Sequence, residues 1–85
     1  MRGTVLACVD MPADPTVLFG KRLATLRRAR GWTQEELAAE SGISQRYISD
    51  VERGLRNIAL RNICRLAVAL GVPPFKLLSF DPSDR

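Results

Sequence analysis

The stretch AAESGISQRYISD, residues 38–50, restricts the fold of this chain more than any other. A run of helix formers reaches Gly42, breaks, and resumes at Ser44 with polar and aromatic side chains. Glycine just past a helix end adopts the left-handed conformation without a Cβ penalty, and serine caps the open amides of a following helix. Two short helices joined by so tight a turn must cross steeply and closely. The residue at the crossing must then be small, and Ala38 is.

The rest of the chain supports helices on both sides of this unit. Asp14-Pro15 is a helix start, with Asp as cap and Pro suited to the first helical position. Phe19, Leu23 and Leu26 follow at helical spacing, with Lys21, Arg22, Arg27, Arg28 and Arg30 on the same helix and Gly31 at its end. Thr33 and Glu36 have the spacing of a capping box, which opens the second helix, whose Leu37 and Ala38 face inward. The third helix is expected from Gln45 to about Arg53, burying Ile48 and Val51, with Gly54 as its stop. The fourth begins near Ala59 or Leu60 and presents Leu60, Ile63, Ala67 and Leu70, ending at Gly71. A short fifth follows Pro73-Pro74. Only the first residues hint at strand alternation. The expectation is an all-α, five-helix domain over residues 14–80, with residues 1–13 as an arm or leader and 81–85 as a tail.

With 85 residues, the chain can build one core and no more. No apolar stretch approaches the roughly 20 residues that a membrane span needs. The run Val5–Val9 is too short for a secretory signal, so the expected compartment is the cytoplasm and no membrane partner is expected. There is no histidine, and Cys8 and Cys64 are far apart in sequence. Neither a metal site nor a Ser or Cys nucleophile with its usual base is expected. Glu35, Glu36 and Glu40 read as a solvated helix face rather than as acid–base catalysts, and no cofactor is called for. An enzyme is the losing hypothesis.

Charge gives a direction. The formal net charge is +4, and ten of the thirteen basic residues fall between Lys21 and Arg65, against five acids. Such a balance favours a polyanionic partner, although many small domains carry this charge for solubility alone. Once Ile43, Ile48 and Val51 are committed to the core, the outer face of the third helix holds Gln45, Arg46, Ser49, Asp50 and Arg53. None of these has an evident intramolecular task.

The segment TQEELAAESGISQRYISDVERGLRNIALRNICRLAVALGV, from Thr33 to Val72, resembles the Cro and phage-repressor (XRE) type of helix-turn-helix. Gln34, Leu37-Ala38, Gly42-Ile43, Ile48, Val51-Glu52, Gly54 and the run from Leu60 to Val72 match together, and the likeness extends over residues 17–78. Within the family, RYIS and ERGLRN are most similar to the controller proteins of restriction–modification systems. The resemblance implies a lambda-repressor-like domain that binds double-stranded DNA as a homodimeric transcription regulator. It also implies that Glu52 is a buried carboxylate paired with Arg27, both structural, as are Ala38 and Gly42.

A helix entering the major groove offers its first turns to base edges, which suits Gln45 and Arg46, with Ser49 and Asp50 one turn on. Asp50 either pairs with Arg46 at i, i+4 or accepts from a cytosine amine. The controller-like likeness adds Arg56 as a base reader. Phosphate contacts are expected from Thr33, Gln34, Tyr47, Arg53 and Asn57. Trp32 reads as a core plug and Cys64 as a small hydrophobe. In PPFKLLSF, Leu78 is expected to close the core, eight residues after Leu70, leaving Phe75, Leu77 and Phe80 as an association surface; the alternative is that Phe75 and Leu77 complete the monomer core. The competing reading is an antitoxin or adaptor whose main partner is another protein, with DNA binding secondary.

Overall fold

The computed structural model describes residues 14–80. The arm proposed for residues 1–13, with Cys8, and the tail at 81–85 lie outside the described residues. Five helices follow in order: α1 Pro15–Ala29, α2 Gln34–Ser41, α3 Gln45–Glu52, α4 Leu60–Leu70 and α5 Pro74–Leu77. No strand occurs among the described residues.

Local chemistry sets the helix ends. The Asp14 carboxylate accepts from the Thr16 amide at 2.9 Å and from its hydroxyl at 2.7 Å, and these two bonds hold its pKa below the usual carboxylate value. Both halves of the capping box form: the Glu36 amide donates to the Thr33 hydroxyl at 3.1 Å, and the Thr33 amide donates to the Glu36 carboxylate at 2.8 Å. Gly42 ends α2 at φ +74°, a conformation that a β-branched residue rarely adopts. The Ser44 hydroxyl accepts from the Tyr47 amide at 3.1 Å and opens α3.

The core joins Phe19 and Leu23 of α1, Leu37 of α2, Ile43 of the turn, Ile48 and Val51 of α3, Ile63, Leu66, Ala67 and Leu70 of α4, and Leu77 of α5. Helix α1 packs on α3 and α5, α2 packs on α3 and α4, and α4 packs on α5. Ala38 is half-buried against this core, as is Trp32. Four side chains depart from their expected places. Leu60 is 70% exposed, because it is the first residue of α4 and lies outside the inward stripe of Ile63, Leu66, Ala67 and Leu70. Leu77, expected on an association surface, is wholly buried, while Leu78, expected in the core, is 48% exposed. Counting from Leu70 assumed an unbroken helical phase, but Gly71 takes φ +71° and restarts it. Arg22 Nε then donates to the Lys76 carbonyl at 2.8 Å and pins the end of α5 to α1. The fourth is Cys64, read as a small hydrophobe beside the core stripe of α4, which is exposed.

A tight backbone approach occurs at Gly20, inside α1. A Cβ there would run into the Val51 carbonyl oxygen and lie 2.8 Å from that of Glu52. This glycine lets α1 lie directly on the end of α3.

One polar group is built into the interior. Arg27 is 8% exposed, and its Nε and Nη2 donate to the Glu52 carboxylate at 2.7 and 3.0 Å. Arg27 Nη1 donates to the Trp32 carbonyl at 2.7 Å, and the Gln34 side-chain amide donates to Glu52 Oε1 at 2.9 Å. The hydrogen bonds to Glu52 hold the guanidinium pKa above its ordinary value, against the opposing effect of burial. No buried side-chain polar atom lacks a partner among the described residues.

Two outcomes follow. Gly20→Ala should destabilise the domain by about 1–3 kcal/mol through overpacking, despite the better helix propensity of alanine. Thermal unfolding checks it, and a midpoint equal to the parent's would contradict the close approach. Glu52→Ala should cost about 3–5 kcal/mol, because it strands a buried guanidinium. Asp50→Ala removes only long pairs to exposed arginines and should cost about 0–1 kcal/mol. Chemical denaturation of the two variants side by side reads the contrast.

Candidate nucleic-acid interface

Helix α3 is held from beneath. Ile48 and Val51 are 0% and 1% exposed, so the helix has no freedom to roll, and its other side is fixed as the outer face. Gln45 and Arg46 stand exposed in the first turn, with Ser49 and Asp50 half-buried one turn on. These are the expected base-reading positions, and the structure brings them together on one surface.

Asp50 does not pair with Arg46. Its carboxylate lies 3.9 Å from Arg53 Nη1 and 3.7 Å from Arg56 Nε. The reason is the turn after α3, where the Leu55 amide donates to the Asp50 carbonyl at 2.9 Å and folds the chain back along the helix. The same turn sets the Arg56 guanidinium over the Tyr47 ring, 4.8 Å from its centroid. Both contacts are open to solvent on the Arg56 side and weak, the stacking worth about 0.5–1 kcal/mol, but together they fix where Arg56 starts from. Arg46 has no ion-pair partner among the described residues, which leaves its five donors free.

The flanking groups divide. Thr33 is exposed, and its hydroxyl, which accepts from Glu36, keeps its own proton to donate. Gln34 is half-buried with its amide committed to Glu52, so its side chain serves the interior first. The open amides of the first turn of α2 remain at that end, where a helix favours anions. Arg53 is exposed at the end of α3. Asn57 is exposed and borders an apolar groove of about 190 Å³ together with Pro15, Thr16, Phe19, Ile58, Ile63, Leu78 and Phe80. Phe75 is 66% exposed on α5, and Phe80 is half-buried.

A second cleft, of about 420 Å³, lies between α1 and the ends of α2 and α3. Lys21, Ala24, Thr25 and Arg28 form one wall, and Gln34, Glu52 and Arg53 form the other. Sequence alone leaves Lys21 and Arg28, among the basic residues of α1, open between phosphate contact and a solvated face. Their spacing, with Thr25, of i, i+4 and i+7 already placed them on one helical face. No group of His, Cys, Asp and Glu able to hold a metal occurs among the described residues, and no described helix is long and apolar enough to cross a membrane.

Comparison with known proteins gives a consistent result. Residues 23–77 match the HTH_3 family model, described as helix-turn-helix. The uncharacterized HTH-type transcriptional regulator y4dJ of Sinorhizobium fredii is 46% identical over 71 residues, covering 84% of this chain and 90% of its own. Control protein C.BamHI of Bacillus amyloliquefaciens is 45% identical over 65 residues, covering 75% of this chain and 80% of its own. The crystal structure of the restriction-modification controller protein C.AhdI of Aeromonas hydrophila aligns with a TM-score of 0.72 at 50% identity, over 73% of this chain and 94% of that one. These relatives are named as regulators and controllers, not as enzymes. The family match runs from the middle of α1 to the end of α5 and contains the capping box, the Gly42 turn and the Arg27–Glu52 pair, and the chain belongs to the HTH_3 helix-turn-helix family.

Proposed function

We propose that the protein is a transcription regulator that binds a specific duplex DNA site as a homodimer, with α3 reading the major groove of an inverted repeat. The observation that carries this reading is the outer face of α3. It presents Gln45 and Arg46 exposed, on a helix locked by two fully buried residues and capped by Ser44. Glutamine and arginine bond adenine and guanine through paired donors and acceptors, and the first turns of a helix are the part that reaches base edges. Ser49, Asp50 and Arg56 extend the reading surface, and Asp50 takes part through Arg53 and Arg56. Thr33, Gln34, Tyr47, Arg53 and Asn57 are the proposed backbone contacts, Gln34 through its main-chain amide because its side chain is engaged with Glu52.

A domain of this size buries little surface on DNA, so useful affinity at physiological salt favours two copies. The proposed dimer face uses Phe75 with Leu78 and Phe80. Leu77 drops out because the monomer core already contains it. Two-fold pairing there is isologous and presents two copies of α3 to successive turns of one face of the duplex, about 34 Å apart. The controller role of C.BamHI and C.AhdI is the reading we favour for this chain, as an operator-binding regulator of a neighbouring gene set.

Binding-site selection with the purified protein tests the central claim. Gln45→Ala and Arg46→Ala should each cost about 1–3 kcal/mol on the selected site and relax preference at one or two base pairs. Unchanged preference in both variants would mean that α3 is not the reader. For the dimer, Phe75→Ser with Leu78→Ser should sediment as a folded monomer and bind a full palindrome much more weakly. An undiminished dimer would move the interface to another face.

A further inference from the structure

We propose that the cleft between α1 and the helix-turn-helix is a phosphodiester site, where Lys21 and Arg28 hold the DNA backbone beside Arg53. The inference rests on the DNA-binding reading and adds a surface to it. The geometry carries it in three steps. First, the cleft joins α1 to both ends of the reading unit, since its far wall is Gln34, the first residue of α2, and Arg53, which follows α3. Any duplex lying along α3 therefore passes its rim.

Second, the acid in the cleft is already neutralised. Glu52 is 6% exposed through its side chain and accepts from Arg27 Nε, Arg27 Nη2 and the Gln34 amide. Its charge is matched inside the fold and does not compete for the outer cations. What the cleft shows to solvent is Lys21, Arg28 and Arg53, all exposed, with Arg53 only loosely drawn to Asp50 at 3.9 Å. Neither Lys21 nor Arg28 has an ion-pair partner among the described residues.

Third, the Gln34 side chain, the natural candidate for a phosphate at this edge, already gives one of its two N–H donors to Glu52. Thr25 cannot replace it, since its hydroxyl donates to the Lys21 carbonyl at 2.9 Å. The lysine and arginine of α1 are the donors left on that wall. A cationic pair at i, i+7 on a helix, facing a third cation across a cleft, suits an anion that carries one charge per residue and runs past, as a DNA strand does. Such contacts fix position and affinity and carry no base information.

The test is the salt dependence of binding to the protein's own selected duplex, measured for the parent, Lys21→Ala, Arg28→Ala, the double variant and Arg65→Ala. Arg65 lines a different cleft, on α4, and removes the same charge from elsewhere. Each α1 variant should make the log–log slope shallower by about 0.9 per bound protomer, the double variant by about twice that, and Arg65→Ala not at all. Base preference should not change. Slopes equal to the parent's in the α1 variants overturn the site while leaving DNA reading by α3 intact. An equal loss of slope in Arg65→Ala reduces the effect to net charge and also overturns it. Altered base preference overturns it too, by making the pair readers. Failure of the parent to bind any duplex overturns both this site and the function it rests on.

Discussion

The ion pair between Arg27 and Glu52 holds the parts of this small domain in register. It joins α1 to the end of α3 and, through the Trp32 carbonyl and the Gln34 amide, ties in the connection to α2. A buried pair of this kind adds little net stability, because desolvation offsets much of the attraction. Its effect is geometric. A guanidinium has five donors in a fixed plane, and here three separate segments take them or share their acceptor. Helix α3 is thus placed relative to α1 by directional bonds, where apolar contacts alone would allow it to slide. Gly20 completes the constraint by letting the backbone of α1 rest on the carbonyls at the end of α3.

With its inner side fixed, α3 has one face left, and that face is almost wholly made of hydrogen-bonding groups. Asp50 has a structural task on it, gathering Arg53 and Arg56 at the far end of the helix, while Gln45 and Arg46 at the near end have no side-chain partner among the described residues. The surface is therefore graded: free donors in the first turns, tethered cations beyond them. Such an arrangement fits a groove reader whose base contacts form at one end and whose charge is held in place at the other.

Signals carried within a few residues were legible in the sequence. The capping box at Thr33 and Glu36, the caps at Asp14 and Ser44, and the left-handed Gly42 each depend on chemistry spanning three or four positions, and each appears in the structure. The first three helices followed from them, α4 from its apolar spacing and α5 from Pro73-Pro74. The Arg27–Glu52 pair is different, being implied by likeness to a family rather than by local pattern. What stayed hidden depends on tertiary phase. Leu77 and Leu78 exchange places because Gly71 and the two prolines reset the helical register before α5. Asp50 finds Arg56 rather than Arg46 because a turn six residues long folds back on it. Gly20 carries no local signal of its role, since nothing nearby in sequence records that α3 ends against it. For the outer face the sequence supplied residue types and sides, and the tethering of each group awaited the fold.

The single tryptophan and the single tyrosine stand at opposite ends of this arrangement. Trp32 accepts from Arg27 through its carbonyl and lies with its ring 4.5 Å from the Arg30 guanidinium, beside the buried pair. Tyr47 lies under Arg56 on the outer surface. The molecule therefore carries its one indole beside the internal joint and its one phenol on the outer side of α3. Emission from the indole, the stronger chromophore, reports the surroundings of the joint, apart from whatever the outer face meets.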